Sequence, residues 1–141
     1  MKYEFTGKVK VVGSLELRQI RALVAIAAIG VAVGDIGGWI ESEKNLSQVS
    51  GDAWVSGNAQ VYGDAQVQCR IVLASRSDGY DFIVTPTSKH DVRIIAGCRY
   101  FTFAEARQHW QTTRGSTSLG KESLAIIAHL ENMAKIKGWI S

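Results

Sequence analysis

Three arginines in the second half of the chain sit among glycines and hydroxyls: Arg76 in "SRSDGY", Arg99 in "AGCRYF" and Arg114 in "TTRGST". A guanidinium is a planar fork of donors that matches a phosphate, and amides or hydroxyls at a turn or helix start complete an anion cradle. Ser75, Gly97 and Thr113 are the candidates for those flanking groups, and Tyr100 or Phe101, with Tyr80 nearby, for stacking on a base. Phosphate plus base is the chemistry of a nucleotide. Taken singly, each arginine reads first as a solvated charge or a carboxylate's partner; only the three clusters together point to a ligand.

Other chemistry finds less support. His90, His109 and His129 have no spacing that would hold a metal, such as a pair four apart on one helix face. Cys98 has His90 and His109 near it in sequence, but local order is weak evidence for a nucleophile. No serine lies in a nucleophile elbow. The residues therefore predict neither a catalytic set nor a metal site nor a bound cofactor, and the chain reads as a binding protein rather than an enzyme.

The totals agree with a small soluble protein. Of 141 residues, 46% are hydrophobic and 21% charged, with a single proline, which suits one ordinary domain or two very small ones. The net charge of +3, from 16 basic and 13 acidic side chains, is compatible with an anionic ligand and far from the basic stripe of a DNA binder. The longest apolar run, Ala22 to Val33, is shorter than the roughly 18 residues a membrane span requires. Cys69 and Cys98, with no secretory leader ahead of them, read as reduced, small buried residues in a cytoplasmic protein.

The elements that must position the arginines follow from the pattern. Strand-like runs from Tyr80 to Thr85 and from Val92 to Ala96 flank a polar segment with Pro86, which predicts a hairpin. Thr102 with Glu105 three residues on predicts a capping box, and Phe103, Ala106 and Trp110 fall on one face of the helix it starts. After the loop "TTRGSTSLG", Leu124, Ile127, Leu130 and Ala134 line one side of a second helix. From about residue 75 the order is strand, strand, helix, loop, helix. Ahead of it, "MKYEFTGKVKVV" predicts a strand turning at Gly13, whereas residues 17–33 fit either helix or strand.

Between these lies a repeat of six: Gly51-Asp-Ala-Trp-Val-Ser, Gly57-Asn-Ala-Gln-Val-Tyr, Gly63-Asp-Ala-Gln-Val-Gln and a degenerate unit from Cys69. Ala53, Ala59 and Ala65 form one column and Val55, Val61 and Val67 another, continued by Ile71 and Leu73. Ala and Val two apart share a strand face, while Gly before Asp or Asn turns the chain. The period predicts a hexapeptide β-helix segment, so the fold class expected is mixed α+β: residues 1–74 with strands and β-helix-like repeat, residues 75–141 a hairpin and two-helix α/β module.

The strings "KYEFTG" at 2–7, "GDIGGWIESEKNLS" at 34–47 and "GDAWVSGNAQVYGDAQV" at 51–67 resemble phage and prophage proteins with hexapeptide, left-handed β-helix segments. "DVRIIAGCRYFTFAEARQHW" at 91–110 resembles the small C-terminal module of such proteins and, more loosely, the phage sponge proteins that sequester nucleotide signals of bacterial immunity, as in anti-Thoeris and anti-CBASS proteins. The resemblance implies stoichiometric capture, without turnover, of a cyclic nucleotide-type messenger in the cytoplasm of an infected bacterium. Alternatives are a structural or protein-binding oligomerisation module of a prophage, and a hexapeptide-type acyltransferase. The last is disfavoured because residues 45–74 hold no histidine to act as base.

About three hexads close one β-helical coil, so this repeat makes little more than one coil, and a solenoid gains stability only from stacked neighbours. The short repeat thus predicts a homo-oligomer, a trimer or a dimer of trimers. Light scattering at micromolar concentration is expected to give a multiple of the 15.4 kDa chain mass; a stable monomer would count against the reading.

Overall fold

A computed structural model describes residues 1–49, 52–70 and 72–140. The chain is mixed α+β, with two four-stranded sheets and two α-helices, and divides into two compact units, Met1–Ile71 and Val72–Ser141.

In the first unit, β1 (Tyr3–Val12) and β2 (Leu15–Ala22) form an antiparallel hairpin through Gly13, whose φ of 61° is the left-handed turn conformation. The open choice over residues 17–33 resolves toward strand for 17–22: Leu17, Ile20 and Ala22 are buried, and the pairing with β1 uses the backbone groups a helix would have kept. A short 3-10 turn, Ala27–Ile29, follows. β3 (Ile36–Ile40) pairs antiparallel with β2 and parallel with β4 (Gln60–Val61), which lies inside the repeat.

The six-residue columns pack as their spacing requires. Ala53, Ala59, Ala65, Val55, Val61 and Val67 are all buried, and the corners at Gly57 and Gly63 have φ near 60°. Named strands in the repeat amount to β4 alone, with one isolated parallel bridge between Trp54 and Arg70, so a β-helix is not drawn by strands among the described residues. Gly51 and Ile71 lie outside the described residues. Leu73 departs from its expected column: it belongs to the second unit's sheet and is 39% exposed.

The segment "GGWIESEKNLS" holds the repeat by close approach. The Gly38 and Trp39 amides donate to the carbonyls of Val55 (2.8 Å) and Ala59 (2.9 Å). Buried Asn45 donates its amide to the carbonyls of Gly63 (3.1 Å) and Ala65 (2.9 Å), and its own carbonyl accepts from the Val67 amide (3.0 Å).

In the second unit, β5 (Val72–Ser75), β6 (Asp81–Pro86), β7 (Val92–Ala96) and β8 (Arg99–Phe101) form an antiparallel sheet in chain order. The expected hairpin is β6–β7; β5 and β8 are added to the expected order. α1 (Phe103–Arg114) begins in the capping box of Thr102 and Glu105, and α2 (Ser118–Ile136) begins at Thr117. Phe82, Val84, Val92 and Ile94 pack with Phe103, Ala106, Trp110, Ile127, Leu130 and Ala134 in one core. α2 ends in a Schellman arrangement: Gly138 (φ 77°) donates to Lys135 and Trp139 to Ala134.

A methyl group on Gly38 would stand 2.7 Å from the buried Val55 Cγ1 and 2.5 Å from the Ala59 oxygen, which cannot retreat without losing its hydrogen bond from the Trp39 amide. Gly38→Ala is expected to cost at least about 2 kcal/mol in urea denaturation. Gly57→Asn, at a left-handed corner open to solvent, is expected to change stability by under about 1 kcal/mol.

Candidate functional site

The second unit contains a cavity of about 290 Å³ lined by Arg76, Tyr80, Arg99, His109, Trp110, Thr113 and Arg114. All three arginines picked out by their clusters meet there, together with Thr113, although up to 38 residues of chain separate the first from the last.

Arg76 forms the inner wall. Its Nε and one terminal nitrogen donate to the two carboxylate oxygens of Asp78, each at 2.8 Å, and the other donates to Ser123 Oγ at 3.1 Å. The guanidinium lies 4.8 Å from the Tyr80 ring centroid and the residue is buried. Arg76 therefore follows the carboxylate-partner reading as well as lining the cavity. The Arg76 hydrogen bond is the main reason the half-exposed Asp78 carboxyl is held down from 3.8 to about 2.

A chain of contacts runs from this wall to Arg99. The Tyr80 hydroxyl donates to the Ala96 carbonyl at 2.8 Å, and burial pushes its ionisation upward. Ala96 pairs with Arg99 across a two-residue turn of Gly97 and Cys98. Gly97 has φ 60° while Cys98 does not have positive φ, the pattern of a type II′ hairpin. A Cβ on Gly97 would lie 2.8 Å from the Tyr80 hydroxyl oxygen. Gly97 thus serves the site by shaping the turn and leaving space for Tyr80 rather than by lining the cavity. Cys98 at the tip is exposed, so the reading of both cysteines as buried residues fails there.

α1 supplies the third side. His109 and Thr113, and Trp110 and Arg114, are pairs four apart on neighbouring rows of the helix. The His109 ring stands edge-on to Trp110 (centroids 4.7 Å, 85°) and tilted on Phe101 (5.2 Å). Burial, then the nearby Arg99 charge, push its ionisation below the usual histidine range. The Arg114 carbonyl is clamped by the start of α2: it accepts from the Thr117 amide (2.8 Å) and hydroxyl (2.6 Å). A Cβ on Gly120 would lie 2.3 Å from the same oxygen.

The remaining expected residues stand apart from the cavity lining. Ser75 donates its hydroxyl to the Asp81 carboxylate across β5–β6. Tyr100 lies beneath the Arg93 guanidinium at 5.8 Å. Phe101 packs on Trp110 and His109. His109 and Trp110 line the cavity as well, and the signal for them in the sequence is their spacing to Thr113 and Arg114 on the helix that starts at Thr102.

Among the described residues no group of three or more His, Cys, Asp or Glu side chains could hold a metal, and no helix is long and apolar enough to cross a membrane. No family model, no curated protein and no solved structure matches the chain.

Because the folded pKa of Asp78 lies below its ordinary value, its pairing with Arg76 stabilises the fold fully above about pH 4 and is lost as pH falls toward 2. Asp78→Asn is expected to lower stability at pH 6 and to flatten the acid side of the curve between pH 4 and 2, measured by urea denaturation across that range.

Proposed function

We propose that the second unit is a binding module for a small phosphorylated ligand of the nucleotide class, which it holds without cleaving. The observation that carries this reading is the convergence of Arg76, Arg99 and Arg114 with Thr113 around one cavity that has no carboxylate in its lining. Arg99 and Arg114, both exposed, supply the principal phosphate grips, while Arg76 lines the cavity held by Asp78 and Ser123 and the Thr113 hydroxyl, which donates to the His109 carbonyl, borders the site. A cavity of about 290 Å³ is at the lower end of ligand sites, room for one nucleotide unit. Of the rings that border the cavity Trp110 is buried in the core, which leaves the half-buried Tyr80 and the imidazole of His109 to meet a base, in place of Tyr100 and Phe101.

The wider proposal follows the resemblance to phage sponge proteins: the ligand is a cyclic nucleotide-type immune messenger, captured in the cytoplasm of an infected bacterium. The first unit would act as the assembly platform of a homo-oligomer. Its parallel pairings, Trp39 with Gln60, Ile40 with Val61 and Trp54 with Arg70, support a short β-helical winding that stacked copies would complete.

A thermal-shift screen against cyclic di- and trinucleotides and ADP-ribose tests the proposal. A ligand at about 100 times its dissociation constant adds about 2.7 kcal/mol of apparent stability. Arg99→Ala and Arg114→Ala are each expected to weaken binding about ten- to hundredfold while leaving the free protein's melting temperature nearly unchanged. Ligand released by heat denaturation is expected intact; a cleaved product would make the protein an enzyme, and no shift with any compound would remove the proposal.

A further inference from the structure

We infer that His109 makes anion capture in this cavity proton-linked: when a tetrahedral oxyanion enters beside Arg99, Thr113 and Arg114, the imidazole takes one proton from solvent and donates a charge-assisted hydrogen bond to it. The inference rests on the cavity being an anion site, as proposed above.

The geometry supplies the reason. His109 borders the same cavity as the three guanidinium groups, and its ring is fixed by Trp110 and Phe101. Its carbonyl accepts from the Thr113 hydroxyl at 2.7 Å, so ring, hydroxyl and Arg114 belong to one rigid stretch of helix. The charged side chains in the cavity lining are Arg99 from β8, Arg114 from α1 itself and Arg76 from the turn after β5, the last of them paired with the Asp78 carboxylate. The nearby carboxylates are turned to other tasks. Glu105, one turn back on α1, caps the helix by accepting from the Thr102 amide at 2.9 Å. From α2, Glu122 accepts from Ser77 and Glu131 from Arg107.

An imidazolium at this position would stand partly out of water and beside the Arg99 charge. Burial, then the Arg99 charge, accordingly push His109 toward its neutral form in the free protein. A bound oxyanion reverses the sign of that environment. By linkage, binding then tightens as pH falls from the bound midpoint to the free one, and is level outside that window. Proton linkage of this kind favours ligands that carry concentrated charge at the cavity over neutral ones of similar shape.

Sulfate is a suitable probe because it is tetrahedral, doubly charged and does not itself titrate between pH 5 and 8. In NMR titrations of the full chain at constant ionic strength, sulfate is expected to shift the amides of Arg99, Thr113 and Arg114. It is also expected to raise the His109 midpoint by about one unit, about tenfold in affinity between the two protonation states. His109→Gln identifies the resonance and is expected to bind sulfate with an affinity that no longer changes between pH 7.5 and 5.5. Amide shifts with an unmoved His109 midpoint would overturn this inference and leave the anion site standing. Absence of amide shifts at Arg99, Thr113 and Arg114 would overturn the anion site and this inference together.

Discussion

A guanidinium taken out of water must be answered on every side, because an unpaired buried charge costs several kcal/mol, a large part of what holds a small unit together. In the second unit that demand falls on Arg76. Asp78 answers with both carboxylate oxygens, Ser123 brings α2 to the same point, and Tyr80 covers a face. Tyr80 then fixes Ala96, which fixes the turn that carries Arg99. One buried charge therefore ties the hairpins to a helix and sets the distance across the cavity.

The first unit depends on a different constraint, closeness of backbone. Gly37 and Gly38 let β3 approach Val55 and Ala59 to distances that no side chain would allow. Asn45 replaces water for carbonyls in the corner of the repeat, where short strands leave polar groups without a regular partner. The columns of Ala and Val fill what these contacts enclose. The string "GGWIESEKNLS" is thus specific in a physical sense: two positions need glycine, and Asn45 needs a side chain that donates to the Gly63 and Ala65 carbonyls while its oxygen accepts from the Ser42 amide.

Features with a local cause were legible before any coordinates. The capping box at Thr102 and Glu105, the apolar face of α1, the stripe of α2 and the buried columns of the repeat each follow from a spacing of six residues or fewer. What escaped has a non-local cause. β8 is three residues long and β5 four, too short to carry a period, and they exist because β6 and β7 offer them an edge. Arg76 is committed to Ser123, 47 residues away. Tyr100 has a cavity-lining neighbour in Arg99, yet in an extended strand the next residue faces the other way, and Ser75 ends β5 just before the turn that carries Arg76. The same alternation sends Phe101 back to the side of Arg99, where helix α1 covers it.

The corner between the two helices has a consequence for how a ligand would be held. With the Arg114 carbonyl bonded twice by Thr117 and pressed against Gly120, the backbone there has no room to yield. The Gly97 turn, bounded by the Tyr80 hydroxyl, is similarly confined on the opposite bank. The motion that a ligand would remove there is then mainly side-chain torsion, about 2 kcal/mol at most for each arginine ordered. A site that ordered two side chains rather than a loop would keep most of its binding energy as affinity.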